Sequence, residues 1–371
     1  MIRNLLTNIT MICTLLAAAF GAVTVFVAIA SNLVPAKYIV LLAATIITFD
    51  ALAIILFVKF RVKIAMLIIS IVLALIGTVI AAAAFYGVTT SERLILHVTN
   101  DTSIMKVAIS QNQPFNLYIS GIDTYGDIST VSRSDVNIVV TVNPLTKHIL
   151  LTTIPRDSYV KIAGGGNNQY DKLTHAGIYG INASMDTVST LLETPIHTYV
   201  RINFTSFIKT IDQIGGIDVV NPVAFTTDGG QTFKQGTLHL NGKDALTFSR
   251  ERHNLSGGDN DRGVNQERVF SAVFQKLSSQ DLLKNYLVVL QTLNTSVQTN
   301  IAGDSLKKLV SQMLNDGSSW TIDQTAITGS GETGQLPSYA MPNAALYMLV
   351  INTTSLQQTQ QAINTALTAT K

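Results

Sequence analysis

The chain opens with three long apolar stretches, Leu5 to Ala30, Tyr38 to Val58 and Ile64 to Tyr86, separated by short polar connectors. Each reaches the roughly 20 residues that a helix needs to cross a hydrocarbon core about 30 Å thick. The pattern predicts a membrane anchor over residues 1–87 with three transmembrane helices. The first connector contains Pro35, which stops a helix. The second, Lys59-Phe60-Arg61-Val62-Lys63, carries three cations in five residues and has the composition of a cytoplasmic loop. That places the N-terminus in the cytoplasm and everything after Tyr86 outside. A cleaved signal peptide does not fit, because the first run is too long and two further spans follow it directly. Asp50 falls in the middle of the second span. It is either a functional intramembrane carboxylate or one that shares a proton with a neighbouring helix.

Beyond the anchor the period changes. Residues 88–115 have mixed polarity and form a short connecting segment, too short for a domain. Asn116 to Gly121 reads as a buried strand ending in a turn. Val136 to Val142 and Ile149 to Ile154 are β-branched runs joined by a turn at Asn143-Pro144. Helical spacing follows at Ser184 to Leu192, Phe204 to Ile214 and Gln266 to Leu277. Gly215-Gly216 closes the middle helix ahead of the short strand Ile217 to Val220. Strands alternating with helices predict an α/β fold, an extracytoplasmic α/β/α sandwich with a mixed central sheet, over residues 116–351. The glutamine- and threonine-rich residues 352–371 read as a polar C-terminal tail, a weakly held helix or a frayed end.

Composition agrees with a chain that lies partly in lipid. It is 47% hydrophobic and 13% charged, against about a quarter charged in soluble domains. The anchor holds Arg3, Lys37, Lys59, Arg61 and Lys63 against Asp50 alone. Removing these from the chain's 25 basic and 23 acidic residues leaves the outer part slightly acidic, so the charge gives no support to a nucleic-acid partner. The single cysteine, Cys13, lies inside the first span, so the outer domain has no disulfide, thiol nucleophile or thiolate metal site.

Three clusters in the outer domain carry candidate chemistry. Gly121-Ile122-Asp123 and Ser134-Asp135 place two carboxylates near strand ends, suited either to a hard divalent metal or to ordinary turns. Ile154-Pro155-Arg156-Asp157 sets an arginine just past an apolar strand, where Asp157 either orients Arg156 or bonds nearby backbone. Ser249-Arg250-Glu251-Arg252 runs through a glycine-rich loop at Gly257-Gly258 to Arg262, Asn265-Gln266 and Arg268. Its guanidinium groups either converge on one phosphate, whose oxygens they match as forks, or belong to a solvated helix end with surface ion pairs. His175 reads as a helix-start residue, and the other histidines lack ligand spacing. Gly164-Gly165-Gly166 is a flexible turn, and no phosphate-binding Gly-x-x-x-x-Gly-Lys loop or serine elbow occurs.

Seven segments occur in one order: Gly121-Ile122-Asp123, Arg133-Ser134-Asp135, Ile154 to Asp157, Lys172 to Ala176, Asp212 to Val219, Leu240 to Leu246 and the final arginine cluster. Together they resemble the LytR-CpsA-Psr family over about Asn116 to Leu277. The three spans and Asn265-Gln266 are similar to its capsule- and exopolysaccharide-associated branch. Residues 88–115 cannot hold the accessory domain found in some members of that branch.

The resemblance implies a magnesium-dependent phosphotransferase in a bacterial cell membrane. It would move a glycopolymer (capsule, exopolysaccharide or teichoic-acid-like) from a polyprenyl pyrophosphate carrier to cell-wall peptidoglycan. By the same resemblance Asp123 and Asp135 would hold Mg2+, Arg156, Arg250, Arg252 and Arg262 would contact the pyrophosphate, and Gln266 would lie within reach. The polyprenyl tail would occupy an apolar tunnel lined by residues such as Phe204, Phe207 and Ile208. The alternatives are a polyprenyl pyrophosphate phosphatase and a non-enzymatic membrane regulator of polysaccharide assembly, working with other assembly proteins.

Overall fold

A computed structural model describes residues 2–60, 63–99, 106–110, 113–255, 259–278, 297–316 and 320–370. The centre of the basic connector (Arg61, Val62), the loop glycines Gly257 and Gly258, and part of the predicted connecting segment lie outside them. The chain divides into two compact units, residues 1–96 with 306–315, and 97–305 with 316–371.

In the first unit the predicted spans are the helices α1 (Ile2–Ala30), α2 (Ala36–Phe60) and α3 (Ile64–Thr99), all three long and apolar enough to cross a membrane. They pack on small residues, with Ala17, Ala53 and Ala74 buried at their contact. Close approach of this kind suits helices in lipid, where van der Waals packing replaces the hydrophobic drive. Serine and threonine hydroxyls are spent on backbone carbonyls: Thr14 Oγ1 on Thr10 O, Thr78 Oγ1 on Ala74 O, Ser70 Oγ on Ala53 O across to α2. The third helix does not stop at Tyr86 as the sequence pattern suggested. It continues to Thr99 because Val88, Ser91 and Ile95 extend its buried stripe and no proline intervenes.

The second unit is built on a six-stranded mixed sheet. Its strands are β1 (Phe115–Ile122), β2 (Ser134–Asn143), β3 (His148–Thr153), β4 (Thr198–Asn203), β5 (Val297–Thr299) and β6 (Thr321–Ala326), in the spatial order β5-β4-β1-β2-β3-β6. The pairs β1–β2, β2–β3 and β4–β5 are antiparallel, whereas β1–β4 and β3–β6 are parallel. The predicted Asn143-Pro144 turn forms with the Asn143 side chain accepting from the N–H groups of Leu145 and Thr146.

Helices cover both faces. On one face Tyr118, Val139 and Leu150 meet Met185, Val188 and Leu192 of α4 (Ile181–Leu192), together with Ile363 and Ala366 of the C-terminal helix. On the other face Ile138, Val140, Ile149 and Leu151 pack with Phe270. A separate core joins α5 (Phe204–Gln213), α6 (Gly242–Arg250) and α7 (Asp259–Ser278) to the ribbon of Ile217–Asn221 and Gly236–Leu240. The expected sandwich is present. The glycine stop after α5 is as predicted: Gly216 has φ +80°, and a Cβ there would sit 2.6 Å from His239 Nε2.

The predicted polar tail is instead a core helix, α8 (Thr353–Thr368), capped by Asn352, whose side chain accepts from Ser355 N at 3.0 Å. Leu356, Ile363 and Leu367 recur at helical spacing and face the sheet, a stripe hidden among glutamines and threonines. Asn143 locks the far end by donating to the carbonyls of Ala366 and Ala369, both at 2.8 Å.

Candidate active site

Where β1 and β2 end, the ladder slips. Gly121 pairs with Val136 but Ile122 pairs with Ser134, so Asp135 is the extra residue of a β-bulge. The bulge needs Gly121, since a Cβ there would lie 2.7 Å from Val136 Cβ. Asp135 is thereby turned into a cavity of about 200 Å3 between the sheet and the helices α5, α6 and α7.

The cavity gathers most of the predicted residues. Arg156, Arg250, Arg252, Arg262, Gln266 and Asp135 supply its polar wall, and Phe204 and Phe207 part of its apolar wall. Arg156 follows β3 through Ile154-Pro155 and donates from Nη1 to Asp135 Oδ2 at 2.7 Å. Thr174 ties the same corner twice, through N–H to the Arg156 carbonyl (2.9 Å) and Oγ1 to Asp135 Oδ1 (3.2 Å). Behind Arg156 lies the buried Asp157 carboxylate, 3.6 Å from Arg156 Nε and 2.7 Å from Lys172 Nζ. Asp157 thus orients its neighbour by an ion pair. Lys172 is followed by a second buried pair, His175 Nδ1 on Asp171 Oδ1 at 2.7 Å, so His175 is structural. Burial alone would push Asp171 upward. Donors from His175, Ala340, Lys172 and Ser338 outweigh it and hold the carboxyl below its usual range.

The opposite wall is made by helix ends. Arg250 closes α6 and stacks over the Phe204 ring at 4.5 Å, and Phe204 in turn meets Tyr125 edge-on at 5.3 Å. Glu251 caps the turn that presents Arg252, its Oε1 accepting from the N–H groups of Arg252, His253 and Asn254. Arg252 Nε donates to His253 Nε2 at 3.0 Å, and His253 leans on Asp228 at 2.6 Å. In α7, Arg262, Gln266 and Val269 fall on one helical face and reach the cavity together.

Two predicted residues lie outside the lining. Asp123 sits one residue past Ile122, on the loop beyond β1, where Ser132 Oγ donates to it at 3.2 Å and Arg133 lies 3.9 Å away. That loop is fastened from β4 and α5: Arg201 donates to Thr130 O and Asn203 to Gly126 O. Ile208 instead brings its backbone against Gly242 in the α5–α6 contact, where a Cβ would lie 2.2 Å from Ile208 O. Among the described residues the cavity measures about 200 Å3, below the 300–1,000 Å3 typical of ligand pockets; that volume suits a phosphate head group and is smaller than the expected lipid tunnel.

Sequence reasoning gave no role to Lys172 and Thr174, although both stand in the Lys172–Ala176 segment of the ordered set. Nor did it single out Asn203, which caps α5 by accepting from Ser206 N and reaches the cavity. An Asn directly before a helical run was the available signal. Among the described residues no group of three or more His, Cys, Asp or Glu forms a metal cluster.

Chemically, among the described residues four guanidinium groups face one carboxylate in a half-apolar cavity, an arrangement suited to a polyanion such as a diphosphate. The LytR_cpsA_psr family model matches residues 84–365. A polyisoprenyl-teichoic acid–peptidoglycan teichoic acid transferase TagU of Enterococcus faecalis (strain ATCC 700802 / V583) is 34% identical over 252 residues, 67% of this chain and 82% of the relative. The transferase of the same name from Bacillus cereus (strain AH820) is 36% identical over 199 residues, 53% of this chain and 64% of that protein, so the chain spans just under two thirds of its length. The crystal structure of B. subtilis TagV superposes with TM-score 0.58 at 30% identity, covering 71% of this chain and 100% of that one. TagT bound to LI-WTA superposes with TM-score 0.54 at 26% identity, covering 69% and 92%. The chain belongs to the LytR_cpsA_psr family.

Proposed function

We propose that this protein transfers a glycopolymer of the teichoic-acid class from a polyprenyl pyrophosphate carrier to peptidoglycan, outside the cell membrane. The observation that carries the reading is the meeting of Arg156, Arg250, Arg252 and Arg262 with Asp135 in one cavity. The names of the curated relatives support the donor and the acceptor, and the cationic connector at Lys59 to Lys63 supports the outside placement.

In the step proposed, an acceptor hydroxyl oxygen bonds to the phosphorus attached to the polymer. The bridging P–O bond breaks, and its oxygen leaves with the electron pair as polyprenyl phosphate, which takes up the hydroxyl proton. The polymer ends in a phosphodiester to the acceptor. Such transfers need positioning and charge neutralisation more than covalent help. The arginines supply both, because negative charge grows on the leaving phosphate as the bond breaks. Among the described residues Asp135 is the one carboxylate in the lining, and it is engaged by Arg156 and Thr174. Its role is to hold Arg156 rather than to take a proton.

Magnesium fits this donor set in one respect. It is usually held by one or two carboxylates together with substrate phosphates and water, and Asp135 in the lining would supply one of these, with Asp123 on the adjoining loop outside the lining. Bound there, the ion would add positive charge against the diphosphate.

The test is a reconstituted reaction of the full chain in lipid with a polyprenyl-pyrophosphate-linked polymer and peptidoglycan fragments. Polymer–glycan product should form with an equal amount of polyprenyl phosphate, and Arg252→Ala should lower both. Polyprenyl phosphate released equally fast with no acceptor, or product formation untouched by Arg252→Ala, would overturn the reading.

A further inference from the structure

In the membrane unit, Asp50 is 8% exposed and its Oδ1 has no hydrogen-bond partner. The carboxylate sits where α1 and α3 leave room: a Cβ on Gly77 would lie 3.4 Å from Oδ1, and one on Gly21 3.8 Å from Oδ2. It also reaches an open groove of about 540 Å3 between α1 and α2, whose floor and walls include Ala18, Gly21, Ala22, Ala43 and Ala51. At about 1.5 Å per residue Asp50 is roughly 15 Å from the Phe60 end of α2, near the middle of a bilayer. An unpaired carboxyl at that depth is costly and calls for a donor.

Among the described residues no donor meets Oδ1. Hydroxyls of the spans such as those of Thr14, Thr24 and Thr78 donate to backbone carbonyls. Lysines and arginines of the anchor fall only at span ends, at residues 3, 37, 59, 61 and 63. A second copy would present the same side chains. The five small residues of this groove lie between larger apolar ones (Val25, Phe26, Ile29, Ile46, Ile47 and Ile54), a surface on which another apolar helix can pack. We propose that this groove receives a transmembrane helix of a different protein carrying a lysine or arginine at mid-bilayer depth, which pairs with Asp50.

The experiment uses the full chain, fluorophore-labelled, in phosphatidylcholine vesicles with two synthetic 23-residue leucine–alanine helices that differ only in a central lysine or leucine. Energy transfer should report association of the lysine helix about tenfold tighter than the leucine helix, the size of one polar contact in lipid. Asp50→Leu should abolish that preference. Ala51→Phe, which fills the groove and leaves the carboxyl in place, should weaken both helices. Equal association of the two helices, or a lysine preference that survives Asp50→Leu, would overturn the proposal. Asp50-dependent transfer between labelled copies of the chain itself, with no preference for the lysine helix, would also overturn it and make the occupant a second copy.

Discussion

The two walls of the cavity hold arginines in opposite ways. On the strand side Arg156 is clamped by charge: Asp135 in front, Asp157 behind, and Lys172 completing the pair at Asp157. On the helix side Arg250 lies on an aromatic ring, and Arg252 leans on an exposed histidine. The first wall is held by largely buried charges set when the chain folds, whereas on the second Arg250 and Arg252 are exposed and Arg262 is buried beside them. Under the proposed transfer, a clamped wall would set the phosphorus and a more exposed wall would follow the growing charge, an arrangement suited to polymers that differ beyond the phosphate.

If the strand wall is prebuilt, breaking its backing should cost the fold more than any change on the helix wall. The side chains of Asp157 and Lys172 are 5% and 12% exposed, so Asp157→Ala strands a buried ammonium, and we expect a loss of about 3–5 kcal/mol in thermal or urea unfolding. Adding Lys172→Met should return much of it. If the double variant is no more stable than the single one, the pair is not what holds this wall. Next in size is Arg156→Ala, expected to lower single-turnover transfer about 10²–10³-fold, the scale of losing one aimed charge at a developing anion. Arg156→Lys should recover only part, because an ammonium cannot span Asp135 and a phosphate as a fork does. Full recovery would mean the wall acts as a point charge only.

The helix wall should respond more mildly. Phe204→Leu removes the ring under Arg250 and should weaken donor binding by about 0.5–1 kcal/mol, a few-fold in Kd, with folding little changed. Donor affinity that falls as far as in Arg156→Ala would erase the distinction between the walls.

How much of this was legible depends on range along the chain. The spans, the strands β1, β2 and β3 and the helices α4 and α5 follow from local period and stop signals and stand close to where the sequence places them. Strands β4, β5 and β6 carried no reading, and α7 begins seven residues before the predicted Gln266. The arginines were found as short clusters, but only the ordered resemblance brought Arg156 to Arg252. No local signal encodes a contact nearly a hundred residues apart. The bulge at Asp135 arises from a register shift between two strands, which neither strand's pattern shows. The C-terminal helix was misread because its apolar stripe is thin and its polar residues dominate. Asp157 needed Lys172 beside it, fifteen residues on across a small two-stranded ribbon, before its role could be seen. The pair at Asp171 and His175 was the exception: acid and imidazole at i and i+4 were readable, had the short helix been recognised.

That pair supplies the mildest test of the prebuilt wall, through pH. Asp171 titrates below its ordinary value in the folded chain. Its stabilising contribution is therefore fully present above the unfolded carboxylate value of about 3.9 and is lost as pH falls through the lower folded value. The gap in melting temperature between the parent chain and Asp171→Asn should be constant from pH 7 to about 5 and close as pH drops below about 4. Asp228 is also held low, by His253 and Asn254, yet it is 64% exposed, so Asp228→Asn should show little gap at any pH. A gap for Asp228→Asn as wide as that for Asp171→Asn would place the acid-sensitive support on the helix wall instead. The strand wall would then owe its rigidity to packing, and the contrast between clamped and adaptable arginines would have to be drawn from the Asp157 pair alone.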